Sequence, residues 1–188
     1  LKAYSSVVSV WSASLGGPRR VDAAMIVASR VQRFTALQDL LARDGDHETT
    51  DGMMTEAMVV GLATLLPDAV IQQALHIIDA GEISCVQSKR GRRVYEVRGK
   101  KCKYTVVPHG VYCSCPYFGR RVLEAGELCC KHWLAVQLAI KMGRGITSTS
   151  THGEEQFVDY ALQSLTSIPQ TYSLDPAREK FRNASQHL

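Results

Sequence analysis

What this chain has little of narrows its function before any motif is found. No apolar run approaches the ~18 residues needed to cross a bilayer as a helix. Aromatic residues make up only 7% of the 188, so a core must be built from aliphatic and cysteine side chains. The six cysteines lack the density of a secreted disulfide scaffold, and no secretory apolar segment precedes them. Four of them suit a metal, which points to a reducing compartment, cytosol or nucleus. A nucleotide cradle is missing too: Gly99-Lys100-Lys101 has neither the earlier glycine nor the following Ser or Thr of a phosphate loop. No Ser-His-Asp or Cys-His pair has the sequence context of a nucleophile, and a transposase's metal-binding carboxylates would need a longer chain. An enzyme is therefore not expected.

Acidic residues are absent from residues 1 to 21, where Lys2, Arg19 and Arg20 stand among serines. With Leu1 in first place, this stretch reads as a disordered leader faintly like an organellar transit peptide, with Met25 or Met53 as the expected true start. At 45% hydrophobic and 21% charged, the remainder has a globular composition with room for one domain plus an accessory segment.

What is present is a concentrated set of soft ligands. Cys113-Ser114-Cys115-Pro116 is followed, after a spacer from Pro116 to Cys129, by Cys130-Lys131-His132. Three thiols and an imidazole match the number and type of ligand that tetrahedral structural zinc takes. Residues two apart on an extended segment point to one side, so Cys113 and Cys115 can reach one ion from a strand end, and Pro116 stops that strand. Residues two apart on a helix do not share a face. Cys130 is thus expected just before the helix that Trp133 to Ile140 forms, with His132 in its first turn. Cys129 competes with Cys130 for the third position, but the C-x-H pairing and the place before the helix favour Cys130. Four protein ligands leave no open position, which argues for one structural zinc over one that activates water.

Around this site the pattern predicts an α+β fold: N-terminal helices, then a small antiparallel sheet and a zinc-stapled helix. Residues 22–81 form the helical region. Met25, Ala28, Val31, Phe34 or Thr35, Gln38 and Leu41 mark a first helix, Met53 to Leu66 a second that frays at Gly61, and Pro67 to Gly81 a third. Residues 82–142 form the zinc module. Ile83 to Gln87 and Val94 to Val97 alternate around a turn at Gly91, followed by short strands at Tyr104 to Val107 and Val111 to Cys113. Tyr117 to Ala125 reads as a short helix ending at Gly126. Cys85, Cys102 and His109 read as strand or turn residues without metal. Residues 143–188 comprise a polar linker to Gly153, a helix with the stripe Val158, Ala161, Leu162 and Leu165 that either closes the core or docks elsewhere, and a polar tail from 169.

The C-x-C…C-x-H pattern resembles the SWIM zinc finger of chromatin-remodelling ATPases and Mutator-type transposases. Over residues ~62 to 142 the chain is more similar to the short SWIM proteins of Shu complexes. The segments Gly91-Arg92-Arg93-Val94-Tyr95-Glu96-Val97 and Tyr112-Cys113-Ser114-Cys115-Pro116 carry that likeness, as does an alanine three residues beyond the histidine, here Ala135. At that spacing Ala135 shares the face of His132, where a larger side chain would crowd the ligand. The resemblance implies a subunit that binds a recombinase-like paralog and supports the recombinase filament on single-stranded DNA in homologous recombination, in the nucleus. Any ATPase in such a complex would belong to the partner.

A second reading rests on charge. Residues 81 to 142 hold twelve Lys and Arg against four Glu, a surplus of eight in a chain whose total is +4. Lys89, Arg90, Arg92 and Arg93 at the hairpin tip, with Arg120 and Arg121, are candidate phosphate contacts, and Tyr104, Tyr112, Tyr117, Phe118 and Trp133 are candidate stacking groups for a DNA-binding finger acting alone.

Overall fold

The computed structural model describes residues 19–42, 54–99 and 102–166, with side chains of the first helix from residue 27 onward. The expected leader and polar tail lie outside the described residues, save that 19–21 already open the first helix.

Three helices come first: α1 (Arg19–Ala42), α2 (Glu56–Leu65) and α3 (Asp68–Asp79). Thr55 caps α2 by accepting from the Met58 N–H at 3.3 Å, and Pro67 occupies the cap position of α3, one residue before the helix proper. The inward stripe of α1 is Phe34, Leu37, Leu40 and Leu41, with Leu37 fully buried. The expected members Ala28, Val31 and Gln38 face out. Apolar residues lie all around this helix, so spacing alone defined no single face. Gly61 does not fray α2; it lies where Leu40 packs, and a Cβ there would come within 2.8 Å of a Leu40 methyl. The glycine lets α1 and α2 approach closely.

The sheet has the order β4-β3-β2-β1-β5, with β1 (Ile83–Ser88), β2 (Arg93–Arg98), β3 (Lys103–Val107), β4 (Tyr112–Cys113) and β5 (Ile146–His152). β1 to β4 form the antiparallel meander that alternation predicts, in register Cys85↔Tyr95 and Tyr95↔Val106. The sheet as a whole is mixed, which corrects the purely antiparallel expectation, because β5 lies parallel to β1. It also turns most of the expected linker into a strand. β5 reads Ile-Thr-Ser-Thr-Ser-Thr-His, with almost no apolar alternation to announce it. Backbone pairing and the extended preference of its threonines hold it, not a buried face.

One sheet face, with Ile83, Cys85, Tyr95, Val97 and Val106, joins the main core. Against it lies α4 (Lys131–Met142), buried on nearly every side because α3 and α1 cover its back. Gly143, at φ +63°, ends α4 and donates to the Ala139 and Ile140 carbonyls. The opposite face carries Val86 and Val94 under α5 (Glu154–Thr166). Of the two roles open to α5, the structure shows the closing one. It docks through Phe157, Tyr160 and Ala161, while the expected stripe members Val158 and Leu162 remain exposed. The bundle, sheet and α5 form three layers, an α+β architecture.

Candidate metal centre

The β3–β4 turn sends the chain back along the sheet edge, and β4 is two residues long because Ser114 ends it. The Ser114 N–H donates to the Thr105 carbonyl and its hydroxyl accepts from the Thr105 N–H, both at 2.9 Å. Cys113 and Cys115 flank this anchor and face one point. Pro116 and Tyr117 lead into a short π helix (Phe118–Glu124), close to the expected helical turn. Gly126, at φ +83°, redirects the chain toward α4. Cys130 is the N-cap of α4 and His132 its second residue, as the spacing predicts.

The ligand atoms of Cys113, Cys115, Cys130 and His132 all lie within 4.8 Å of one another, and all four residues are buried. Cys113 Sγ and His132 Nδ1 are 4.0 Å apart. A tetrahedral zinc with bonds of about 2.3 Å to sulfur and 2.0 Å to nitrogen spaces its ligands about 3.5–3.8 Å apart, so a small inward movement suffices. Two backbone donors already point at the sulfurs: the Phe118 N–H reaches Cys115 Sγ at 3.3 Å and the Trp133 N–H reaches Cys130 Sγ at 3.4 Å. Such bonds strengthen when the sulfur is a thiolate.

Electrostatics test the fit. Cys115 is held far below the ordinary thiol range, because Cys113 and then Cys130 donate to its sulfur, with His132 beside it. Burial and the bond to Cys115 push Cys113 well above that range. For Cys130 the contact with Cys113 acts downward, but its own bond to Cys115 and its burial outweigh it, and the thiol is raised. Burial opposes charge on these sulfurs, and a cation at the centre would favour all three as thiolates. The donor set fits one zinc ion, which would join the end of β4 to the start of α4.

The neighbours that fix this geometry were less legible. The Tyr104 ring lies against the His132 ring at 4.6 Å between centroids. Trp133 Nε1 and Gln137 Nε2, one turn apart on α4, both donate to the Pro108 carbonyl, at 3.3 and 3.1 Å. That i, i+4 pair of donors was the available signal. Phe34 of α1 contacts Trp133 at 6.0 Å, coupling the helical layer to the site. Ala135 is fully buried on α4. Cys129 is buried but outside the cluster, its thiol pushed up to about 12 by burial and by the charge of Glu127. Cys85 lies in β1, Cys102 in the β2–β3 turn and His109 in the β3–β4 turn, none of them in the cluster.

The six candidate DNA contacts lie on two elements. Lys89, Arg90, Arg92 and Arg93 are exposed at the β1–β2 end, while Arg120 and Arg121 lie on the π helix. Arg92 is paired with Glu154 and lies 5.4 Å over the Phe157 ring. Arg121 is paired with Glu127, which also accepts from the Tyr117 hydroxyl.

A buried C-x-C…C-x-H cluster joining a strand end to a helix start defines a zinc finger of the SWIM type. No family model matches the chain, and no solved structure matches it. Curated relatives do match. The chain is 45% identical over 69 residues to human zinc finger SWIM domain-containing protein 7, covering 36% of this chain and 49% of that one. It is 42% identical over 73 residues to the zebrafish protein of that name, covering 38% and 52%. To the mouse protein it is 32% identical over 105 residues, covering 55% and 68%. The chain belongs to the family of zinc finger SWIM domain-containing protein 7. It spans about half the length of the human and zebrafish relatives and about two thirds of the mouse one.

Proposed function

We propose that this protein is a non-catalytic, zinc-binding subunit of a Shu-type complex, acting in the nucleus. In this reading it binds a recombinase-like ATPase paralog and promotes homologous-recombination repair by supporting assembly or stability of the recombinase filament on single-stranded DNA. The observation that carries the non-catalytic part is the closure of the metal centre: four buried protein ligands leave no position at which zinc could activate water. Its zinc is a staple, and the function lies on the outer surface. Family membership supports the partner class. The helical layer adds further support, since Val27 and Val31 on α1 and Val59 and Val60 on α2 are 46–59% exposed, apolar area that a bound protein would cover.

A stand-alone DNA-binding finger is the second reading, favoured by the exposure of Lys89, Arg90, Arg93 and Arg120. The carboxylates on Arg92 and Arg121 weigh against it. Single-strand binding over a salt series separates the two, for the wild type and for a variant with the four hairpin cations changed to Ala, each with and without the ATPase partner. The adaptor reading expects weak binding by the free chain, tight binding by the complex and equal partner recovery with both chains. Tight binding by the free wild type, with a slope of about −0.7 per phosphate and lost in the variant, would establish the finger reading instead.

A further inference from the structure

The two edges of the sheet differ. β4 is two residues long and ends in the metal centre, which protects it by shortness. β5 is seven residues long and, among the described residues, pairs only on its β1 side. It carries neither Lys nor Pro, and residues 147–151 are exposed. Its one irregularity is a bulge at Thr147, where Ile83↔Ile146 is followed by Ser84↔Ser148. The Thr147 hydroxyl fills that bulge by donating to the Gly81 and Ile83 carbonyls, at 3.2 and 3.1 Å.

The peptide groups available at this edge can be assigned. The Lys89 N–H donates to the His152 carbonyl at 3.1 Å, so the backbone groups of His152 face β1. By strand alternation those of Ser150 and Ser148 do as well, while those of Thr149 and Thr151 point outward. The sequence Thr147-Ser148-Thr149-Ser150-Thr151 is symmetric about Thr149. An antiparallel copy related by a two-fold axis at Thr149 therefore sets Thr149 opposite itself and Thr151 opposite the partner subunit's Thr147. Outward peptide groups then exchange bonds at Thr149, and like side chains face each other across the axis, a favourable cross-strand arrangement for Thr and Ser. Charge agrees. Two copies of a chain with net charge +4 repel wherever their basic surfaces meet, and residues 146–151 carry no charge.

We infer that the β5 edge is a self-association surface, joining two copies into one continuous sheet about a two-fold axis at Thr149. One strand pair buries well under the ~800 Å² per partner of a standard interface, so the dimer is weak and forms as concentration rises.

The test uses the full zinc-loaded chain in a Cys102→Ser background, with oxidised glutathione as the disulfide source. Opposed residues in a hydrogen-bonded antiparallel pair have Cα atoms about 5.5 Å apart, within disulfide reach. Thr149→Cys should cross-link to a covalent dimer. Thr151→Cys should not, because it lies four residues, about 13 Å, from its own copy, whereas the double variant Thr147→Cys/Thr151→Cys should. Sedimentation of the wild type should shift from monomer toward dimer between about 10 and 500 μM, the range that a weak interface implies. Thr149→Pro, which deletes an outward N–H, should stay monomeric with zinc content and melting temperature retained. A wild type monomeric throughout, or equal cross-linking by the two single cysteine variants, would overturn the inference. The first of these outcomes would leave the edge to a strand from a different protein.

Discussion

Cys129 and Cys130 are neighbours with the same side chain and nearly the same burial, yet only one belongs to the metal centre. The difference is where the helix begins. Cys130 is the N-cap, and the Trp133 N–H at its sulfur fixes it toward the cluster. Cys130→Ser is therefore expected to lose zinc and fold, and Cys129→Ser to keep both. Elemental analysis with circular dichroism checks this, and zinc retained in the first but lost in the second would reverse the assignment. Ala135 is fully buried, so Ala135→Leu should cost about 1–3 kcal/mol through overpacking. It should also weaken zinc binding through His132. A melting temperature and zinc affinity equal to those of the wild type would show that the position tolerates bulk.

Among the elements, α5 is held by buried Phe157, with Tyr160 and Ala161 packed beside it, and by electrostatics at its first residue. Glu154 pairs with Arg92 and accepts from the Arg90 N–H at 3.0 Å, and the Arg92 bond holds its carboxyl below the ordinary glutamate range. A carboxylate depressed on folding stabilises the docked helix above its unfolded pKa, and that contribution fades as pH falls through the folded value. The protection of α5 amides, relative to their intrinsic exchange rate at each pH, should thus fall as pH drops through the glutamate range. Glu154→Gln should be less protected than wild type at neutral pH and lose less protection on acidification. Identical pH profiles for the two chains would place the anchoring elsewhere.

For the whole molecule, Cys113, Cys115, Cys130 and His132 would hold a zinc that ties a sheet edge to the central helix, and that helix supports α1 and α3. Structural zinc supplies ~10 kcal/mol or more of apparent binding free energy, comparable to the entire stability of a domain. A strong chelator at neutral pH should therefore unfold the sheet and helical layer together, seen as loss of near-ultraviolet dichroism and of helical signal in one transition. Retention of the helical signal after zinc removal would show that the bundle folds independently of the metal.

The sequence by itself determined the ligand set, the meander and the order of the helices. Those features rest on local chemistry: thiols two apart on a strand end, alternation around Gly91, a cysteine and a histidine at a helix start. Tertiary structure decided what local pattern does not encode. The inward face of α1 was chosen by the helices it meets, with Gly61 marking the contact. β5 became a strand because β1 offered backbone partners to a polar run, and α5 turned Phe157 inward because Val86 and Val94 lie beneath it. Basic residues that looked alike in sequence differ in the structure, since Arg92 and Arg121 have carboxylates beside them while Lys89 and Arg120 are exposed on different elements. Contacts between distant parts of the chain set these outcomes, apart from the Arg121–Glu127 pair, whose members are six residues apart.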